Sequence, residues 1–468
     1  MMEQQHTTVT LEETAFQELA ARHAGALLRP GDSGYEEARA VYNGMINKHP
    51  ALIARGKDVA DVIAAVNFAR GHKLTLAIRG GGHNGPGLGT CDDGLVIDLT
   101  EMKGIRVDPV ARTVRVEGGC TWGEVDHATH PFGLATPSGF ISTTGVGGLT
   151  LGGGIGYLSR TLGLTIDNLL SVDIVLADGS FVMASAEEHA DLFWAIRGGG
   201  GNFGVVTSFL FQLHPISTVY GGPMLWPIEQ AAEVLKFWRG FIMQAPEEIN
   251  GWFAFITVPP APPFPEQFHL QKMCAIVWCY SGSLEQANAM FQPIREAVPP
   301  AVDFAGPIPW PVLQSLFDAL YPKGLQWYWK TDFFNDLSDK AIGLHLKYGA
   351  HLPTMHSTMH IYPINGSVHR PSTSDTAFSF RDANFAEVIV AVDPDPANNE
   401  RMIEWARDYW MALHPYSAGG GYVNMMMDEG TDTVQAAYRD NYAKLAQIKA
   451  TYDPGNLFHV NQNIKPGR

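Results

Sequence analysis

Two hydrophobic periods alternate along the chain. After Asp58, the residues Val59, Val62, Ile63 and Val66 recur at helical spacing, with Asp58 placed to cap the helix and Gly71 to end it. Residues 74–78 form an apolar strand that runs into Arg79-Gly80-Gly81-Gly82-His83-Asn84-Gly85. Residues 94–99 and 113–117 predict two further strands. Residues 173–177, the turn dipeptide Asp178-Gly179 and residues 181–183 predict a hairpin. Beyond residue 215 the pattern lengthens. Residues 228–243 and 398–413 have helical spacing, while 255–258, 275–278, 326–334, 358–362 and 387–392 are aromatic or β-branched strands. Together they predict one antiparallel sheet with helices on one face. The run from Pro259 to Pro265 reads as a loop. From residue 415 the chain returns to glycine, at Gly419, Gly420 and Gly421. A charged helix over 433–450 then leads into Tyr452-Asp453-Pro454-Gly455-Asn456.

Length supports several domains with real cores, since 468 residues correspond to about two to four. A formal net charge of −16 argues against a nucleic-acid partner. No apolar run reaches 18 residues, so no membrane span is expected. The first 28 residues carry Glu3, Glu12, Glu13 and Glu18 and no basic start, unlike a secretory signal. Cys91, Cys120, Cys274 and Cys279 contain no CxxC pair and read as reduced thiols. A cytoplasmic protein is expected.

Glycine changes the picture most. Of 49 glycines, 27 lie between Gly80 and Gly204, which points to backbone wrapped closely around a large ligand. Three motifs stand out. The glycines before His83 expose consecutive backbone N–H groups, suited to an anionic or flat ligand or to an ordinary turn. In Gly118-Gly119-Cys120-Thr121-Trp122-Gly123-Glu124, the spacing of Thr121 and Glu124 predicts a capping box. Cys120 would then precede a helix N-terminus, which favours thiolate; an inert buried cysteine is the alternative. The stretch 144–156 contains Gly152-Gly153-Gly154-Ile155-Gly156 but lacks a strong preceding strand. It therefore reads as a pyrophosphate cradle rather than a nicotinamide loop. His351, His356 and His360 cluster, but Ser357 replaces the glutamate of HExxH and the segment reads as a strand. No metal is expected there. Tyr422 and Asn424 fall on one side of an extended segment, where a tyrosine acts as acid or base if its pKa is lowered.

Taken in order from His49 to Ile464, these motifs resemble the berberine bridge enzyme-like, PCMH-type FAD-linked oxidoreductases of the vanillyl-alcohol oxidase superfamily. The segments that carry the resemblance are 79–84, 118–123, 143–156, 163–168, 197–206 and 452–464. It implies an α+β fold, with a two-part FAD-binding domain (1–215 and 415–468) and a substrate domain (216–414) built on an antiparallel sheet flanked by helices. It implies FAD, linked covalently at both His83 and Cys120, since having both residues in place favours the bicovalent form. The cofactor contacts it implies are Arg79, Gly80, Gly81, Gly82, Asn84, Gly85, Thr144, Gly145, Gly148, Gly153, Gly154, Val206, Asn424, Asn461 and Asn463. Many relatives carry tyrosine at the positions of Gly85 and Met425, so the base is not carried over directly. Tyr422 is the first candidate base and Glu387 the second; Trp327, Tyr328 and Trp329 are candidate cleft walls. The implied activity is oxidation of an alcohol or amine carbon of a small molecule, with O2 reduced to H2O2. A dehydrogenase with another acceptor and a non-catalytic flavin-bearing protein are the alternatives. A monomer or small homo-oligomer is expected.

Overall fold

Asp58 caps the helix Val59–His72, its carboxylate accepting from Asp61 N–H at 3.1 Å. The helix does not stop at Gly71. It closes at Lys73, which takes a left-handed φ of 55° and donates back to the Ala69 and Arg70 carbonyls. A computed structural model describes residues 11–467; Glu3 lies outside them.

Three sheets organise the chain. The first has β1 (Leu27–Leu28), β2 (Leu52–Arg55), β3 (Leu76–Arg79) and β4 (Leu95–Asp98), in the order β1-β2-β4-β3. β2 and β3 each pair parallel with β4, so Arg79 and the glycines that follow leave the sheet at its C-terminal edge. The second sheet has β5 (Ile105–Asp108), β6 (Thr113–Glu117), β7 (Leu169–Val175), β8 (Phe181–Ser185) and β9 (Val205–Gln212), in the order β5-β6-β9-β7-β8. The predicted hairpin joins β7 and β8, and Gly179 turns at φ 85°.

The third sheet is antiparallel and holds eight strands: β10 (Thr218–Pro227), β11 (Ile249–Thr257), β12 (Lys272–Tyr280), β13 (Val302–Asp303), β14 (Gly306–Pro309), β15 (Gln326–Phe334), β16 (Thr358–Pro363) and β17 (Phe385–Asp393). Helices Ala231–Gln244, Asp339–Gly349 and Asn399–Leu413 cover one face. Strand period then sorts the side chains. Phe385, Ile389 and Ala391 of β17 join the core under the helices, whereas Ala386, Val388 and Val390 point the other way. β15 divides likewise, with Tyr328 on the helix side and Trp327 and Trp329 opposite.

The predicted charged helix near the C-terminus is two helices, Thr431–Tyr438 and Asn441–Tyr452. They break at Arg439, held at φ 47° with its guanidinium 3.6 Å over the Phe380 ring and 2.6 Å from Asp382. Past them, the Asp453 carboxylate binds Lys449 Nζ at 2.6 Å and accepts from Leu457 and Phe458 N–H. This buried knot sends the tail back to the first region, where Asn461 Nδ2 donates to the Gly201 carbonyl at 3.1 Å. Among the described residues no helix is long and apolar enough to cross a membrane.

Candidate active site

A cavity of about 420 Å³ lies between the glycine loops and the open face of the third sheet. Its floor begins where β3 ends. Arg79 lines it, but the guanidinium is committed to Asp98, Nη2 to Oδ2 at 2.6 Å, and to the Ala38 carbonyl. That pair anchors the glycine turn. Beyond it, a Cβ on Gly81 would stand 2.5 Å from Gly145 N, so only glycine lets these two loops meet backbone to backbone. His83 follows, its ring stacked on Tyr42 at 3.9 Å and 16°. Burial lowers its pKa to about 4, opposed by a hydrogen bond to the Thr143 backbone. The imidazole is therefore neutral at pH 7.

Thr144, Gly145 and Gly148 extend the floor through the short helix Val146–Leu151. Gly153 and Gly154 do not line the cavity. They turn the chain at φ 128° and 83° so that Gly154 N–H and Ile155 N–H reach Tyr422 Oη at 3.0 and 3.3 Å. Asn424 Nδ2 donates to the same oxygen at 2.8 Å. Tyr422 and Asn424 meet through a 3₁₀ turn, Val423–Met425, rather than along an extended segment. Burial pushes the phenol pKa up, and the three N–H donors pull against it without reversing the direction. Among the described residues the Tyr422 hydroxyl hydrogen has no acceptor.

Other predicted site residues are elsewhere. The capping box forms, with Glu124 accepting from Thr121 N–H at 2.7 Å ahead of the helix Trp122–Thr129. The Cys120 backbone touches the glycine loop, its carbonyl accepting from Val146 N–H at 2.9 Å. Its thiol turns the other way, fully buried and 3.9 Å from the carbonyls of Met102 and Gly104. Burial and then the Glu124 carboxylate raise its pKa to about 12, the reverse of the thiolate expected at a helix start. His83 thus lines the cavity and Cys120 does not. Glu387 is also displaced, because the pleat of β17 turns it under the helices. There it sits opposite Asp332 in register and 3.6 Å from His345 Nε2, with burial and the Asp332 charge raising its pKa well above the usual range. Tyr328 shares that side and accepts from Arg407 Nε at 3.0 Å. Gly85 and Asn463 stay outside the cavity lining.

The cavity does collect Gly80, Gly81, Gly82, His83, Asn84, Val206, Tyr422, Asn424 and Asn461. It adds residues the sequence reading missed: Tyr42, Phe140, Trp252 and Tyr362. Tyr42 and Phe140 carry no sequence signal. Tyr362 shares the cavity face of β16 with Thr358 and His360, a consequence of strand period alone.

The FAD binding domain family matches residues 50–185, and the berberine and berberine like family matches 421–465. An FAD-linked oxidoreductase of Dictyostelium discoideum is 34% identical over 446 residues, covering 94% of this chain and 95% of that protein. The chain belongs to the berberine bridge enzyme-like FAD-linked oxidoreductases. The (R)-6-hydroxynicotine oxidase of Paenarthrobacter nicotinovorans is 38% identical to this oxidoreductase over 192 residues, 41% of the chain and 42% of that protein. Among solved structures, a variant of the BBE-like 1 protein of Physcomitrella patens aligns with TM-score 0.87 and 25% identity, over 97% of this chain and 99% of that one. A crystal structure of 6-hydroxy-D-nicotine oxidase from Arthrobacter nicotinovorans aligns with TM-score 0.84 and 24% identity, over 95% and 98%. FAD is the group this family implies, and the residues present fit it. The glycine floor gives backbone approach, His83 offers a neutral ring, and Asn461 Oδ1 and the Trp327 and Trp329 Nε1 groups are buried without partners.

Proposed function

We propose that this oxidoreductase is an oxidase that holds FAD covalently through His83, oxidises an alcohol or amine carbon of a small organic molecule, and reduces O2 to H2O2. The observation that carries the reading is one continuous cavity joining the neutral His83 ring to the aromatic face of the third sheet. Residues 1–215 and 415–468 form the cofactor half and 216–414 the substrate half. The reading takes His83 and not Cys120 as the attachment point, supported by the Cys120 thiol lying against the Met102 and Gly104 carbonyls. The four cysteines are free thiols, which supports a reducing, cytoplasmic setting.

FAD, when bound, supplies the two-electron acceptor. His83 offers a ring nitrogen lone pair for the covalent bond because burial keeps the ring uncharged. Gly80, Gly81, Gly82, Asn84, Thr144, Gly145, Gly148, Val206, Asn424 and Asn461 form the cradle. Tyr422 Oη handles the substrate proton: three N–H donors steady a negative oxygen there, and burial opposes it. Trp327 and Trp329 wall the cleft and exclude water.

The test is to add substrates to the yellow protein with and without air. Bleaching in the absence of air and peroxide in its presence are expected. Bleaching without peroxide would instead make the protein a dehydrogenase, and no bleaching by any substrate would leave a flavin-bearing binding protein.

A further inference from the structure

The sheet end of the cavity has an unusual polarity. Among the described residues no Asp, Glu or Lys lines the cavity, and its one arginine, Arg79, is bound to Asp98. A substrate cation would enter without a counter-charge, at a cost of several kcal/mol. A sugar would need many polar partners. Yet Thr358 Oγ1 is committed to the Phe255 carbonyl at 2.7 Å, and Tyr362 Oη to His360 Nδ1 at 2.6 Å. The walls are planar: Trp252 lies 4.7 Å from the His360 ring, and Phe140 stacks on Tyr362 at 4.3 Å and 16°.

Besides the buried, unpartnered His356 Nδ1 and the Nε1 groups of Trp252, Trp327 and Trp329, His360 is the polar group these walls offer that can both donate and accept through its tautomers. It stands on β16 between Ala254 and Val388, half-buried and lining the cavity. Its Nδ1 is fixed by Tyr362, while its Nε2 has no hydrogen-bond partner among the described residues. Burial lowers its pKa to about 3, so the ring is neutral. If Tyr362 donates to Nδ1, Nε2–H donates into the cavity; if Nδ1–H donates to Tyr362, Nε2 accepts. A hydroxyl group satisfies either tautomer, because it both donates and accepts.

We infer that His360 is the substrate-anchoring residue and that the substrate is a neutral, planar, largely apolar molecule bearing a hydroxyl group bound at His360 Nε2. This deepens the proposed function and rests on the cavity being its active site. Tyr362 is a positioning residue that sets the ring.

Isothermal titration of the flavin-loaded protein at pH 7.5 tests this with three probes: 2-naphthalenemethanol, 2-naphthylmethylamine and cellobiose. The alcohol is expected to bind most tightly, with the cationic amine at least about ten-fold weaker and cellobiose silent. His360→Leu is expected to weaken the alcohol by about ten-fold and His360→Gln to recover part of that loss. Should His360→Leu not fold, Tyr362→Phe, which keeps the ring against Phe140, is expected to weaken the alcohol by about three-fold. Tighter binding of the amine or of cellobiose, no binding of the alcohol, or unchanged alcohol affinity in the variant that folds would overturn the inference. Each protein is also precipitated in acid. Colour kept with the chain alongside a failed titration overturns the anchor alone, whereas lost colour overturns the covalent reading.

Discussion

A Cβ built on Gly85 would stand 2.8 Å from Cε3 of Trp329 and 3.0 Å from Sδ of Met427. Trp329 of β15 therefore fills the space into which a larger side chain two residues after His83 would project. The tyrosine that the resemblance leads one to look for at position 85 is replaced, in space, by an aromatic from the other half of the molecule. Gly85→Ala should overpack this contact and destabilise by roughly 1–3 kcal/mol. Combining it with Trp329→Ala should cost less than the sum of the two single changes, which a double-mutant cycle on thermal unfolding would read.

Tyr422 answers to a pH profile. Its phenol pKa is raised by burial above the ordinary tyrosine value, so the deprotonated form is scarce at neutrality and gains population only as pH climbs into the alkaline range. Turnover should rise on the alkaline side of neutrality, and Tyr422→Phe should abolish that rise and slow turnover by about 10²-fold or more. The variant also leaves Gly154 and Ile155 N–H without their acceptor, a loss of about 1–3 kcal/mol in stability. A flat profile in the wild type would remove Tyr422 from proton transfer.

Glu387 should behave as a core residue. Its carboxyl is held neutral beside Asp332 and His345, so Glu387→Gln preserves shape and charge state. Flavin bleaching rates should stay within about three-fold of wild type, whereas Glu387→Ala should destabilise by about 2–4 kcal/mol through the cavity it opens. Stopped-flow reduction alongside melting curves separates the two effects.

Asp126 ties the two halves together, its Oδ1 accepting from Trp310 Nε1–H at 2.7 Å. Oδ2 has no partner, and burial lifts its pKa to about 7. The folded state thus keeps a proton that the unfolded chain releases near pH 4. Stability associated with this group is full below about pH 4 and is lost as pH rises toward 7, by an amount on the order of a few kcal/mol. Asp126→Asn keeps the acceptor and should flatten that slope, as melting temperatures across pH 4–8 would show.

Much of this architecture could be read from strand period and turn chemistry. β15 occupies the predicted residues 326–334, and the Asp178-Gly179 hairpin forms as expected. β10 was missed because Gly221-Gly222-Pro223 interrupts its apolar run; Gly222, at φ 130°, is needed where a Cβ would meet the Phe304 carbonyl at 2.6 Å. The break at Arg439 is tertiary, made by Phe380 and Asp382. In the site, the loop carrying His83 was legible because glycine leaves few other readings. The direction of the Cys120 thiol was not, since a motif places the backbone and not the side of the loop to which the side chain turns. Glu387 carried its own warning: Phe385 and Ile389 flank it on the same strand face, and that face is core.

The proposed attachment of FAD through His83 and not Cys120 is read most directly by acid precipitation of wild type, His83→Ala and Cys120→Ala, followed by the flavin absorbance of each washed pellet. Colour should stay with the wild-type and Cys120→Ala chains and pass to the supernatant for His83→Ala. Colour retained by the His83→Ala pellet, or lost from the Cys120→Ala pellet, would contradict the account.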